Sequence, residues 1–160
     1  MDDRRRALVE RYKRGYDAIV DALRGAADAE LDVRPPGDRE FTAREVVHHV
    51  ADSEMTSAIR LRRLIAEERP AISGYDEWGF AGRLRYASRP IEPALLAIRA
   101  ARETTAQILE RLTPEEWDRE GTHGEMGRYR VDDWLDVYAA HAHEHAEQIG
   151  RALAHARRAR

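Results

Sequence analysis

Apolar residues return at helical spacing along four long stretches of this chain, a pattern that points to packed helices and away from a sheet. In the first stretch Leu8, Tyr12, Ile19 and Leu23 trace one stripe, joined by Val9, Tyr16 and Val20, and the segment is expected to end near Gly25. After a loop containing Pro35, Pro36 and Gly37 comes Thr42-Ala-Arg-Glu45, a capping box in which each end residue accepts the other's backbone amide. Phe41 and Val46 flank it as a hydrophobic staple. The second helix carries Val46, Val50, Leu61, Leu64 and Ile65 inward and stops at Glu68-Arg69-Pro70, because proline cannot continue the hydrogen-bond ladder. The third opens around Pro90 to Pro93 and follows Leu95, Ile98, Ile108, Leu109 and Leu112. It gives way to a second capping box, Thr113-Pro-Glu-Glu116, with proline at the first helical position, which predicts a short helix through Trp117. The fourth begins near Val131, with Asp132 and Asp133 in its first turn, where the helix dipole favours acids.

Strand patterns are nearly absent, so the expected fold is all-α: a four-helix bundle with a long loop over 69–90 between helices two and three. A chain of 160 residues, 42% of them hydrophobic, is the size of one domain, and 1–160 reads as one unit with 155–160 as a frayed basic tail. The loop holds Tyr75, Trp78, Phe80 and Tyr86, rings that either cap one end of the bundle or line a pocket, with Trp78 a candidate substrate contact. The 30 acidic and 27 basic residues are interspersed, which offers no broad basic face to nucleic acid. No uncharged run approaches the roughly 20 residues that span a bilayer, and MDDRRRALVERY lacks the apolar centre of a signal peptide, so a cytoplasmic protein is expected. The absence of cysteine excludes disulfides, zinc ribbons and a thiol nucleophile of the chain's own, while leaving room for a thiol brought by a cosubstrate.

Of seven histidines, three fall within HAHEHAEQI, residues 141–149. Residues four apart on a helix stack one turn above another, so Trp134, Tyr138, His141, His145 and either Gln148 or Ile149 share a face, and His143 points elsewhere. Two imidazoles at i and i+4 are half of a metal site. The second helix offers His48 and His49. Its apolar stripe, centred between Val46 and Val50, leaves His49 at the edge of the buried face and turns His48 toward solvent. Three neutral imidazoles from two facing helices would hold a divalent ion such as zinc, nickel or iron(II) with a coordination position left open. Neither the HExxH pattern nor a paired ExxH di-iron pattern fits, since Glu147 stands four residues after His143 and Glu45-Val-Val-His48 has no matching partner helix.

Three stretches in this order and spacing, REVVHHVADSE at 44–54, LTPEEWDREGTHGEMG at 112–127 and YRVDDWLDVYAAHAHEHAEQI at 129–149, resemble the DinB/YfiT-like superfamily of small bacterial four-helix-bundle proteins. The resemblance implies a three-histidine metal site: its first ligand lands on His49, and its HxxxHxxQI signature on His141, His145, Gln148 and Ile149. It implies no polymerase activity. It also implies a loop histidine at His123, read here as solvent-exposed and off the metal.

The resemblance implies two kinds of activity, thiol-dependent transfer or isomerisation and metal-dependent hydrolysis, and a mechanism of either kind suits these ligands. In a thiol-dependent transferase or isomerase, the metal would hold the sulfur of a low-molecular-weight thiol, lower its pKa and present it to an electrophile. In a hydrolase, the metal would hold water and lower its pKa to about 7, with Asp52 or Glu54, roughly one turn beyond His49, moving the proton. Gln148 and Glu144 are expected to orient ligands, and Trp134 and Tyr138 to line the pocket. Arg60, Arg62 and Arg63 would make either a cationic rim for an acidic substrate or simply a wet helix face. A small-molecule substrate follows from either mechanism. A non-enzymatic metal-binding or stress-response module, and a homodimer, complete the expectations.

Overall fold

The computed structural model describes residues 1–159, and Arg160, the last residue of the expected tail, lies outside them. Its long elements are α1 (Asp3–Lys13), α2 (Gly15–Ala22), α4 (Ala43–Ala66), α6 (Glu92–Leu109) and α8 (Val131–Arg158). Between them lie the short helices α3 (Asp28–Leu31), α5 (Glu77–Arg83) and α7 (Pro114–Trp117), a 3-10 turn at Tyr86–Ser88, and strands β1 (Ala71–Ile72), β2 (Glu120–His123) and β3 (Gly127–Arg130). The α1–α2 pair, α4, α6 and α8 form the four-helix bundle, with α8 packed against α1, α2 and α4. Both capping boxes are formed: Thr42 and Glu45 exchange bonds at the start of α4, as Thr113 and Glu116 do at the start of α7. The last helix runs on through Arg158, past the start of the expected frayed tail.

The first helix is broken where its stripe predicts continuity. The break falls at Arg14, next to a point of close packing: a Cβ on Gly15 would run into the guanidinium of Arg102 and the side chain of Ala142. The 69–90 segment is likewise more than a loop. It forms β1, α5 and the 3-10 turn, and β1 pairs in parallel with β2, Ala71 opposite Thr122 and Ile72 opposite His123. Strands β2 and β3 make an antiparallel hairpin, Glu120 opposite Arg130 through His123 opposite Gly127. Strands of two and four residues are too short to show alternation in a sequence. Gly121 permits the parallel pairing, since a Cβ there would strike the Pro70 carbonyl.

The apolar interior falls into two groups. Tyr12, Leu61, Leu64, Leu109, Trp117 and Trp134 belong to one, and Ile19, Val46, Val50, Ile98, Ile149 and Leu153 to the other. Along α4 and α6 the stretch between them is polar yet buried: Ser53, Glu54 and Ser57 on α4, Arg102 and Thr105 on α6. This belt is held by the Glu54–Arg102 ion pair, by the Tyr12 phenol donating to Glu54 at 3.2 Å, and by Arg102 donating to the Tyr12 carbonyl. Burial of both charges is tolerated because each finds several partners.

Candidate metal centre

His49 on α4 faces His141 and His145 on α8. The ring centroids lie 5.8 Å apart for His49–His141, 4.7 Å for His49–His145 and 4.5 Å for His141–His145. One ligand atom from each histidine lies within 4.8 Å of the other two. Each ring is oriented by its neighbours. His145 Nδ1 sits 2.8 Å from the Gln148 amide oxygen, so that nitrogen carries the proton and Nε2 keeps its lone pair for a metal. His141 lies between Ser53 and Glu54, with Nε2 3.4 Å from the hydroxyl and Nδ1 4.0 Å from the carboxylate. His49 packs against Phe41 at 5.8 Å, and its Nδ1 is buried with no hydrogen-bond partner.

Protonation favours ligation. Burial, reinforced by the neighbouring His145, lowers His49 from 6.5 to about 4. His141 is pushed lower still by burial and by both other imidazoles, with Arg102 adding to the effect. His145 is also lowered by burial, against the opposing pull of Gln148 and of the Glu144 charge. Three uncharged imidazoles whose ligand atoms lie within 4.8 Å of one another, with His49 Nδ1 and His141 Nδ1 buried and unpaired, fit a divalent ion of the zinc, nickel or iron type.

The other predicted residues are distributed around this triad. His48 is not turned toward solvent: it is 2% exposed, donates from Nε2 to the Arg89 carbonyl at 3.1 Å and stacks on Tyr86 at 5.6 Å. Residues 86–89 fold over that side of α4, a cover that helical periodicity cannot reveal. His143 bonds the Arg11 carbonyl at 2.9 Å and stays outside the cluster. His123 is also outside it, but it is a buried strand residue, 7% exposed, whose Nδ1 accepts the Glu125 amide at 3.2 Å.

Neither candidate proton carrier stands free beside the ring nitrogens. Asp52 accepts the Tyr86 phenol, and Glu54 is fully buried in its pair with Arg102 behind His141. Burial raises the Glu54 pKa, opposed by the Arg102 charge. Glu144 is exposed and reaches His145 only through its charge. Trp78 packs on Phe41 at 4.2 Å, one ring removed from His49. Trp134 is wholly buried, its indole donating to the Ser57 carbonyl at 2.9 Å, and so serves the core. Tyr138 borders the triad, 5.5 Å from His141, and its phenol accepts from Arg60 at 3.1 Å. Arg62 and Arg63 turn away to Thr105 and Glu67. Ser53 is a neighbour of the triad that the sequence reading does not single out, and Tyr75 is read there only as one of four loop rings. Ser53, four residues after His49 on the same helix face, was readable from spacing, whereas Tyr75 arrives on an irregular segment that gives no such signal.

A helical bundle that brings one buried and two partly buried imidazoles, all uncharged, together from two facing helices defines a class of four-helix proteins with a candidate metal site. Residues 11–149 match the DinB superfamily, and the chain belongs to that family. It is 34% identical over 134 residues, 82% of this chain and 74% of the relative, to "Putative metal-dependent hydrolase YfiT" of Bacillus subtilis. A protein of Oceanobacillus iheyensis with the same description is 37% identical over 109 residues, 68% of this chain and 63% of that relative, so the match spans under two thirds of the latter's length. The solved structure of Bacillus subtilis YfiT, described as a probable metal-dependent hydrolase with an unusual four-helix bundle topology, superposes with a TM-score of 0.86 at 25% identity, covering 95% of this chain and 87% of that one. No helix among the described residues is long and apolar enough to cross a membrane.

Proposed function

We propose that this chain is a divalent-metal-dependent enzyme acting on a small molecule, with a low-molecular-weight thiol as cosubstrate in a transfer or isomerisation reaction. The observation that carries the reading is the pairing of an open three-imidazole cluster with carboxylates that are already engaged: Asp52 by Tyr86, Glu54 by Arg102. A divalent ion there supplies Lewis acidity that lowers the pKa of a coordinating thiol or water. Thiols lose their proton readily under that influence and need no separate base, whereas water activation ordinarily draws on a positioned acid or base. The chain's own residues orient the ligands: Gln148 fixes the His145 tautomer, Ser53 and Glu54 bracket His141, and Phe41 backed by Trp78 shields His49 from water.

A second reading, hydrolysis with water in place of the thiol, is favoured by the description that the relatives carry. Cobalt substitution separates the two. Titration of small thiols into the cobalt(II) form is expected to produce a near-ultraviolet charge-transfer band that His145→Ala abolishes. Absence of the band across a thiol panel, together with metal-dependent cleavage of esters or amides, selects hydrolysis. Silence in both assays at full metal occupancy selects a non-enzymatic binding module.

A further inference from the structure

Arg60 lies eleven residues, three helical turns, beyond His49 on the same face of α4. Its guanidinium donates to the Tyr138 phenol at 3.1 Å and to the Ser73 carbonyl at 2.7 Å, both neutral acceptors. Among the described residues no carboxylate forms an ion pair with it, and Glu77 senses the Arg60 charge without being bonded to it. The guanidinium carbon stands 5.9 Å over the Tyr75 ring, and the Tyr75 hydroxyl is buried with no hydrogen-bond partner. The Tyr138 that bonds Arg60 borders His141 in turn. Linked to the triad through Tyr138, then, a half-buried cation lies beside a phenol whose buried hydroxyl completes no hydrogen bond, with Ser53 nearby and Glu77 acting on both groups through its charge while bonded to neither. A buried donor left unpaired is costly in a folded protein, and a bound acceptor removes that cost.

We infer that Arg60 and the Tyr75 hydroxyl form a subsite for a carboxylate group of the small molecule handled at the metal centre. The planar guanidinium fork matches a carboxylate's two oxygens, and burial keeps the Tyr75 phenol protonated as a donor rather than a competing anion. Ser73 and Tyr75 lie on the segment that β1 anchors to the hairpin, so the subsite is built across α4, α8 and that segment. The inference rests on the metal-dependent reading above and specifies the substrate class for that site.

The test uses matched probes on the cobalt form: ω-mercapto carboxylates of two to five carbons and the mercapto alcohols of equal length. Both series are expected to give the thiol band, with the best carboxylate binding about 10-fold or more tightly than its alcohol, as a charge-assisted contact would give. Tyr75→Phe, which keeps the ring, and Arg60→Met are expected to remove that preference, with metal stoichiometry and helical circular dichroism unchanged. Equal affinities for carboxylates and alcohols in the wild type, or a preference that survives in both variants, overturns the subsite. If neither series gives a band, the thiol reading fails separately. Calorimetric titration of acetate and succinate into the same protein then decides the subsite, with Arg60-dependent heat supporting it and no heat overturning it.

Discussion

At the residue scale, the two adjacent histidines of α4 have opposite duties. His49 turns into the triad, while His48 is committed to the Arg89 carbonyl on the covered side of the helix. Replacing His49, His141 or His145 with alanine is therefore expected to release most of the bound metal, measured by elemental analysis after gel filtration. His48→Ala is expected to keep full stoichiometry and to lower stability by about 1–3 kcal/mol through an orphaned carbonyl and a lost buried ring, read by urea unfolding. Gln148→Ala removes only the partner that fixes the His145 tautomer, so metal affinity should fall by about 10- to 100-fold without being abolished. The HxxxHxxQ spacing made this half of the site legible, because ligands and orienting group lie on one continuous helix. Arg60 and Tyr75 were harder: one sits in a run of arginines whose members point three ways, and the other is placed by a strand too short to recognise.

Among the elements, those defined by local chemistry read correctly from the sequence. Capping side chains and a 3.6-residue period are short-range signals, and α4, α6, α7 and α8 start and stop close to where they predict. Thr42→Ala should cost about 1 kcal/mol at the α4 cap, seen as a lowered midpoint in urea. The parallel pairing of β1 with β2 and the cover over His48 depend on partners distant in sequence, and no local pattern announces them or the interrupted first helix. Gly15, beside the break, yields the sharpest check. Alanine in place of glycine within a helix ordinarily stabilises by about 0.5–1 kcal/mol. Here its methyl group would displace the buried Arg102, so Gly15→Ala is expected to destabilise by roughly 1–3 kcal/mol, the reverse of the usual sign.

For the whole molecule, the three depressed imidazoles couple stability to pH. His49 ionises near 6.5 when unfolded and near 4 when folded, so between those values the unfolded chain holds the extra proton. Stability of the metal-free protein is thus full above about pH 6.5 and declines on acidification, by up to about 1.4 kcal/mol per pH unit for each such histidine. Urea unfolding at pH 7 and pH 5 measures it, and a midpoint that rises on acidification would contradict the buried, neutral assignment. The polar belt across the bundle bears on the order of assembly. Glu54 meets Arg102 and Tyr12 at only one axial alignment of α1, α4 and α6, and sliding any of them by a turn would strand a buried charge. The belt therefore sets the helices in register without help from an ion. Unlike a zinc finger, which folds around its metal, this protein should present a preassembled socket: chelation is expected to leave the helical circular dichroism intact, and reloading should proceed as ligand capture rather than as refolding.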